Sequence, residues 1–205
     1  GVVTLTANPN YETKSSYSFT VTVSNATYTS SPLNVTFFIN TNYAIGMEAQ
    51  GGYIYYILEP NDTGYDPNIQ HGLVCAVELQ SDGIRWDNGY NQNIGVNDVS
   101  IGSGLSNTEA IIAVQAIQAG ASDFAARVAR DYNGGGYNDW YLPSRNELGN
   151  LKSKIQYIPL SFSDSAWTSS EYSDDQAWSM NFSNPYNGTV SSKVGNRSVI
   201  AVRSF

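Results

Sequence analysis

Asp139-Trp140-Tyr141-Leu142-Pro143-Ser144-Arg145-Asn146-Glu147-Leu148, entered through Gly134-Gly135-Gly136 and followed later by Trp167-Thr168-Ser169-Ser170-Glu171-Tyr172, is the stretch whose reading decides the fold. The three glycines permit positive φ at a chain reversal. Trp140 to Leu142 predicts a short apolar strand, and Pro143 ends it because proline has no ladder donor. Ser144 stands three residues before Glu147, the capping-box spacing, and Leu148 and Leu151 open the apolar stripe of a helix. Strand, capped helix and aromatic cluster thus succeed one another within a few turns of chain.

Working outward, Tyr53–Leu58 and Gly72–Leu79 predict strands joined by a Gly/Pro/Asn/Asp loop. Residues 87–106 carry no period and form a long Asn/Gly/Ser segment, the length at which a loop becomes a candidate for function. Ser106 and Glu109 repeat the capping-box spacing ahead of Ile111, Ile112, Val114 and Ile117, with Gly120 as a stop. Ser122 is placed to cap a further helix, Asp123–Tyr132, with Phe124, Ala125, Val128 and Ala129 inward. Ala177–Phe182, Thr189–Val194 and Ser198–Ser204 predict closing antiparallel strands. Two or three helices among short antiparallel strands make the region from residue 43 to 205 an α+β domain.

Residues 1–42 have another texture. Val2–Thr6, Tyr17–Val23 and Leu33–Ile39 alternate apolar residues with Thr or Ser, the pattern of a small, half-buried, all-β segment. The run Gly1-Val2-Val3-Thr4-Leu5-Thr6, then Asn10-Tyr11-Glu12, then Tyr17 to Val23, resembles the second half of a cadherin-like, Ig-type repeat. That resemblance implies a stalk of repeats before a C-terminal tip, with Glu12 as the calcium ligand of such repeats. The linker Asn40-Thr41-Asn42-Tyr43 lacks the Asp cluster that would complete the set.

The decisive stretch, together with Ala177-Trp178-Ser179-Met180-Asn181-Phe182 and Ala201-Val202-Arg203, resembles the Lcl C-terminal-like domain, named for the tip of a bacterial collagen-like adhesin. Gly51–Tyr56, Gly72–Val77, Gly83–Trp86 and Ile101–Gly104 fit the same layout, so the resemblance runs from about Gly51 to Phe205. It implies a C-type-lectin-like architecture and an extracellular binding module on a cell surface, filament or virion tail fibre. It also implies a homo-oligomer, a trimer, since related tips sit on trimeric stalks. A structural cap for a filament is the alternative, and a degenerate hydrolase stands third.

Composition narrows the partners. Charged residues are only 14% of the chain, and 15 Tyr with many Asn, Ser and Thr supply polarity instead. A net charge of −8 disfavours nucleic acid and other polyanions. No apolar run is long enough to span a bilayer. Cys75, the only cysteine, lies in an apolar strand and reads as a core residue.

The chemistry of an enzyme is sparse. His71 is the only histidine, and it reads as a strand-end residue. No Gly-x-Ser-x-Gly elbow is present. Asp139 reads as an acceptor for its own turn, and Glu171 as a buried carboxylate paired with Arg203 or Arg145. No catalytic residue and no cofactor is expected; if a calcium ion is held, Asp87 and Asp98 of the oxygen-rich loop supply the carboxylates. The ligand, a surface glycan or protein, is expected at Tyr172, Asp174 and Asp175 and at Asn184, Tyr186 and Asn187, where aromatic faces and polar groups share exposed turns. Trp140, Trp167 and Trp178 are expected in the core.

Overall fold

A computed structural model describes residues 16–38, 42–117, 123–162, 164–183 and 188–205, and the chain divides into two compact units, Gly1–Asn42 and Tyr43–Phe205. In the first unit, β1 (Ser16–Val21) pairs antiparallel with β2 (Leu33–Phe38). Registers Tyr17↔Phe37, Phe19↔Val35 and Val21↔Leu33 put the apolar residues on one face, where Phe19 and Phe37 stack at 5.6 Å. Ser18 to Thr36 and Thr20 to Asn34 hydrogen bonds run along the other face. The expected strand Val2–Thr6 and the Glu12 calcium position lie outside the described residues.

The described residues of the second unit form two sheets. The first is antiparallel, in the order β11-β5-β4-β3, from β3 (Glu48–Ala49), β4 (Gly52–Ile57), β5 (Gly72–Cys75) and β11 (Val202–Ser204). All four residues of β5 are buried, as its unbroken apolar run requires. Burial also pushes the Cys75 thiol up to about 12. The second sheet has the order β6-β10-β7-β8-β9, from β6 (Ser81–Ile84), β7 (Ser165–Glu171), β8 (Gln176–Asn181), β9 (Thr189–Ser192) and β10 (Arg197–Val199).

The closing strands differ from the sequence expectation. Ser198–Ser204 is not one strand: Ile200 and Ala201 carry the chain from β10 in one sheet to β11 in the other. Ala201 N–H donates to Gln80 Oε1 and Ala201 O accepts from Ala76 N–H, so the crossing leaves no stranded backbone group at that residue. Nor are all strands antiparallel, because β10 runs parallel to β7 at Ser198↔Ala166. Trp140–Leu142 forms a single bridge, Tyr141↔Val202, rather than a strand.

Among the described residues three α-helices pack on the sheets: α1 (Gly104–Gln115), α2 (Ala125–Arg130) and α3 (Arg145–Lys154). In α3 the sequence reading holds in detail. Ser144 Oγ accepts from Glu147 N–H, Glu147 reaches back to Ser144 N–H, and Leu148 and Leu151 are buried. For α1 it fails at the cap and over much of the inward face. The helix begins ahead of Ser106, whose hydroxyl donates to Ser103 O instead of capping. Its buried face is Asn107, Thr108, Ile111 and Gln115, while Ile117 is 80% exposed. Polar side chains are inward there because each finds a partner, such as Thr108 Oγ1 donating to Leu142 O. In α2 the helix starts at Ala125 after an extended Phe124, and Ala126 joins the buried set in place of Val128.

The core is built on indoles. Trp86, Trp140 and Trp167 are wholly buried, each such side chain contributing about 2–3 kcal/mol by burial alone. Their N–H groups are satisfied: Trp86 Nε1 donates to Thr168 O and Trp167 Nε1 to Ile84 O, lacing β6 to β7 across β10. Gly135, with φ +65, lies so close to Gly51 that a Cβ would meet backbone at 2.3 Å.

Candidate functional site

The exposed end of the β7–β8 hairpin carries three of the residues expected to bind ligand, and its geometry starts in the buried strand beneath it. Every residue of β7 is buried, including Thr168, Ser169, Ser170 and Glu171. Such a polar strand is buried without loss only if its groups are paired, and it is paired by the long segment after β6. Glu171 N–H donates to Val96 O, and Ser170 Oγ donates to Asp98 O. Glu171 Oε2 accepts from Ile94 N–H at 2.9 Å and Gly95 N–H at 2.7 Å. Asn146 N–H donates to Val99 O, Ser144 Oγ to Ser100 O, and Glu147 Oε1 accepts from Gly102 N–H. The segment expected as a functional loop is, from Ile94 to Gly102, hydrogen-bonded to β7 and to the start of α3, with Val96 buried and Gly95, Asn97, Asp98, Ser100 and Gly102 exposed.

Glu171 does not pair with Arg203 or Arg145. Its partner is Lys193, whose Nζ lies 2.5 Å from Glu171 Oε1 and also donates to Gln92 O and Asp174 O. Three acceptors satisfy the three ammonium donors of a side chain that is fully buried. Arg203 instead forms a fork on Asp139, at 2.6 and 2.9 Å, so Asp139 is an ion-pair partner rather than an acceptor for its turn. Burial pushes the Asp139 carboxyl up, but the Arg203 guanidinium outweighs it and holds the group below its ordinary range. Glu147 is the opposite case: burial raises it, against the lowering by backbone N–H groups of Ser144, Gly102 and Gly104.

Above this base the hairpin turns at residues 172–175. Tyr172 and Ser173 N–H groups both donate to Gln176 O, and Asp175 accepts from Ser173 Oγ. Asp174 and Asp175 are exposed, and Tyr172 is 56% exposed. Trp178, expected in the core, is only half-buried. In β8 it shares a face with Gln176, opposite the buried Ala177 and Ser179, and the ring meets side chains rather than a second sheet. Tyr172 stands edge-on to it at 5.4 Å, and the Arg145 guanidinium lies 4.3 Å from its centre. Arg145 also lines a groove of about 430 Å³ along α3, with Asn146, Asn150, Ser153, Ile101 and Met180.

The structure thus brings Tyr172, Asp174 and Asp175 to one turn, while Asn184, Tyr186 and Asn187 lie outside the described residues. Asp87 and Asp98 serve separate purposes. Asp87 is buried and accepts from Arg85 and Gly89 N–H; Asp98 is exposed and accepts from Ser100 N–H, which holds its carboxyl below its ordinary value. Among the described residues no three His, Cys, Asp or Glu side chains gather in a way that holds a metal ion. His71 Nδ1 is 2.9 Å from Phe205 O, at the strand end.

Sequence reasoning missed Lys193, Trp178 and Arg145. Lys193 gives no local signal, because a single Lys after a short polar strand is ordinarily solvated. Trp178 did give one: in an alternating strand it shares its face with Gln176, not with Ala177.

With this geometry in place, comparison with known proteins gives three findings. The family model for the Lcl C-terminal domain matches residues 76–203, more than half of the chain. A solved structure, a fimbrial protein from Bacteroides ovatus, is similar in fold at 15% identity and a TM-score of 0.51, over 74% of this chain and 43% of that one. The chain therefore spans less than half the length of that protein. No curated protein matches the sequence.

Proposed function

This chain belongs to the Lcl C-terminal domain family, and on that premise we propose that it is a surface-exposed adhesion module whose second unit, residues 43–205, recognises a glycan or protein on another surface. The observation that carries the reading is the β7–β8 hairpin: an exposed Tyr172, Asp174 and Asp175 stand on a base locked by the Glu171–Lys193 pair. Contact residues on a rigid scaffold lose little entropy when they bind. The C-type-lectin-like architecture belongs to the same proposal, and so do location outside the cell and trimeric assembly, which turns weak contacts into avidity. Among the described residues no helix is long and apolar enough to cross a membrane. No catalytic step is part of the proposal.

The test is adhesion of beads coated with the full chain to bacterial and host-type cells. Retention that Asp174→Ala/Asp175→Ala lowers supports the reading. Retention no greater than that of albumin-coated beads on every surface contradicts it.

A second reading, assembly into a filament, is favoured by the first unit. Its hairpin leaves Leu33 64% and Phe37 54% exposed on one apolar face. Sedimentation that shows monomer at all concentrations, unaltered by Phe37→Ser, contradicts this reading.

A further inference from the structure

We propose that Tyr172, Trp178 and Arg145, with the adjoining groove along α3, form a binding site for a neutral pyranose saccharide. The inference rests on the adhesion reading above and names its ligand class and its residues.

Three observations carry it. The first is continuity: Tyr172 abuts Trp178 at 5.4 Å, Trp178 abuts Arg145 at 4.3 Å, and Arg145 is itself a wall of the groove. The second is the match of chemistry to the two faces of a sugar ring. Tyr172, 56% exposed, offers an aromatic surface whose negative π face attracts the polarised C–H bonds of a pyranose. Beyond Arg145 the groove is lined by Asn146, Asn150, Ser153, Ile101 and Met180. Asn150 Nδ2 donates to Asn146 O and Ser153 Oγ to Asn150 O, so it is the Asn150 amide oxygen and the Ser153 hydroxyl oxygen that can accept from ring hydroxyls. The groove, at about 430 Å³, falls among small-molecule clefts of about 300–1,000 Å³. The third is charge. Asp174 and Asp175 follow Tyr172 in the same exposed turn on a chain of net charge −8, and Arg145, the one charged residue lining the groove, is engaged over the Trp178 ring. The balance of charge therefore disfavours sulfated or carboxylated sugars relative to neutral ones.

The platform is also held in shape. Arg145 is fixed at the start of α3 by its own N–H, which donates to Ser170 Oγ. Gly188, at φ +90, passes so close that a Cβ there would lie 3.0 Å from Arg145 Nε and 3.5 Å from Trp178. A glycine at that point keeps the backbone clear of the stacked pair.

The experiment presents the full chain to an array of neutral hexose and N-acetylhexosamine oligosaccharides, with heparin as the sulfated comparison. The proposal expects retention on at least one neutral sugar, roughly ten-fold weaker for Tyr172→Ala and nearly unchanged for Tyr172→Phe, as loss of one stacking face implies. Asn150→Ala lowers the same signal without lowering the melting temperature. Equal binding by Tyr172→Ala overturns the site. Retention on heparin alone, or on no sugar, overturns the ligand class. Cells separate this failure from failure of the parent reading: adhesion that resists glycosidases but not protease rejects the saccharide and keeps the adhesion module, whereas adhesion to nothing rejects both.

Discussion

Lys193 Nζ lies 2.5 Å from Glu171 Oε1, with both side chains shut off from solvent, and the pair joins three stretches of chain. Lys193 ties β9 to Gln92 and Asp174; Glu171 ties β7 to Ile94 and Gly95. The exposed turn at residues 172–175 hangs directly from this knot. Breaking one partner leaves a buried charge unpaired, which costs about 3–5 kcal/mol. Lys193→Met is therefore expected to destabilise the chain by that order in urea unfolding, and Glu171→Leu/Lys193→Met by less than the two single changes together. A Lys193→Met loss under about 1 kcal/mol contradicts the assignment.

Glu147 predicts a pH dependence of defined sign. Burial raises its folded-state pKa above the ordinary 4.5, so the charged form is the disfavoured one in the fold. A raised carboxyl stabilises the fold relatively when protonated, and that advantage shrinks as pH rises from about 4.5 through the folded value. Unfolding free energies between mild acid and neutrality should thus show the native chain losing ground to Glu147→Gln as pH rises. A constant difference between the two proteins contradicts this.

Cys75 should be chemically silent while the fold is intact. It is fully buried and its thiol is pushed up to about 12. A thiol-reactive dye at mildly alkaline pH should label it only after denaturant is added. Rapid labelling of the native chain contradicts the placement of β5.

Gly135 has no room for a side chain, since a Cβ would meet Gly51 backbone at 2.3 Å. With positive φ added to that clash, Gly135→Ala is expected to cost more than about 1 kcal/mol. By contrast, Gly136→Ala meets no atom within 4 Å and pays only for its φ of +82°. Melting temperatures that rank the two variants in the reverse order contradict the turn geometry.

What the sequence made legible follows from how local the cause was. The Ser144–Glu147 box is a contact between near neighbours, so its spacing alone placed α3 and buried Leu148 and Leu151. The apolar run of β5 and the burial of Trp140 and Trp167 were legible for the same reason. At α1 the same reasoning found the helix and the buried Ile111 but not its cap or full inward face, because that face is largely polar and satisfied by partners distant in sequence, such as Leu142 O for Thr108. β7 was hidden likewise: Thr168-Ser169-Ser170 resembles a solvated turn until the Asp98 carbonyl is brought to Ser170. Glu171 was read correctly as buried and paired, but Arg203 was already committed to Asp139, and nothing near Lys193 in sequence announced its role. Of the expected ligand residues, Tyr172, Asp174 and Asp175 stand on one exposed turn. Trp178 and Arg145 complete that surface only through the β8 register and the start of α3.

The central claim is that recognition sits on the exposed hairpin while the indole core only supports it. Adhesion and melting temperature measured together on Tyr172→Ala and Trp167→Phe test it most directly. Tyr172→Ala should keep the melting temperature and lose adhesion, whereas Trp167→Phe should lower the melting temperature and adhere normally below it. Full adhesion by Tyr172→Ala, with loss of adhesion by well-folded Trp167→Phe, would contradict the account.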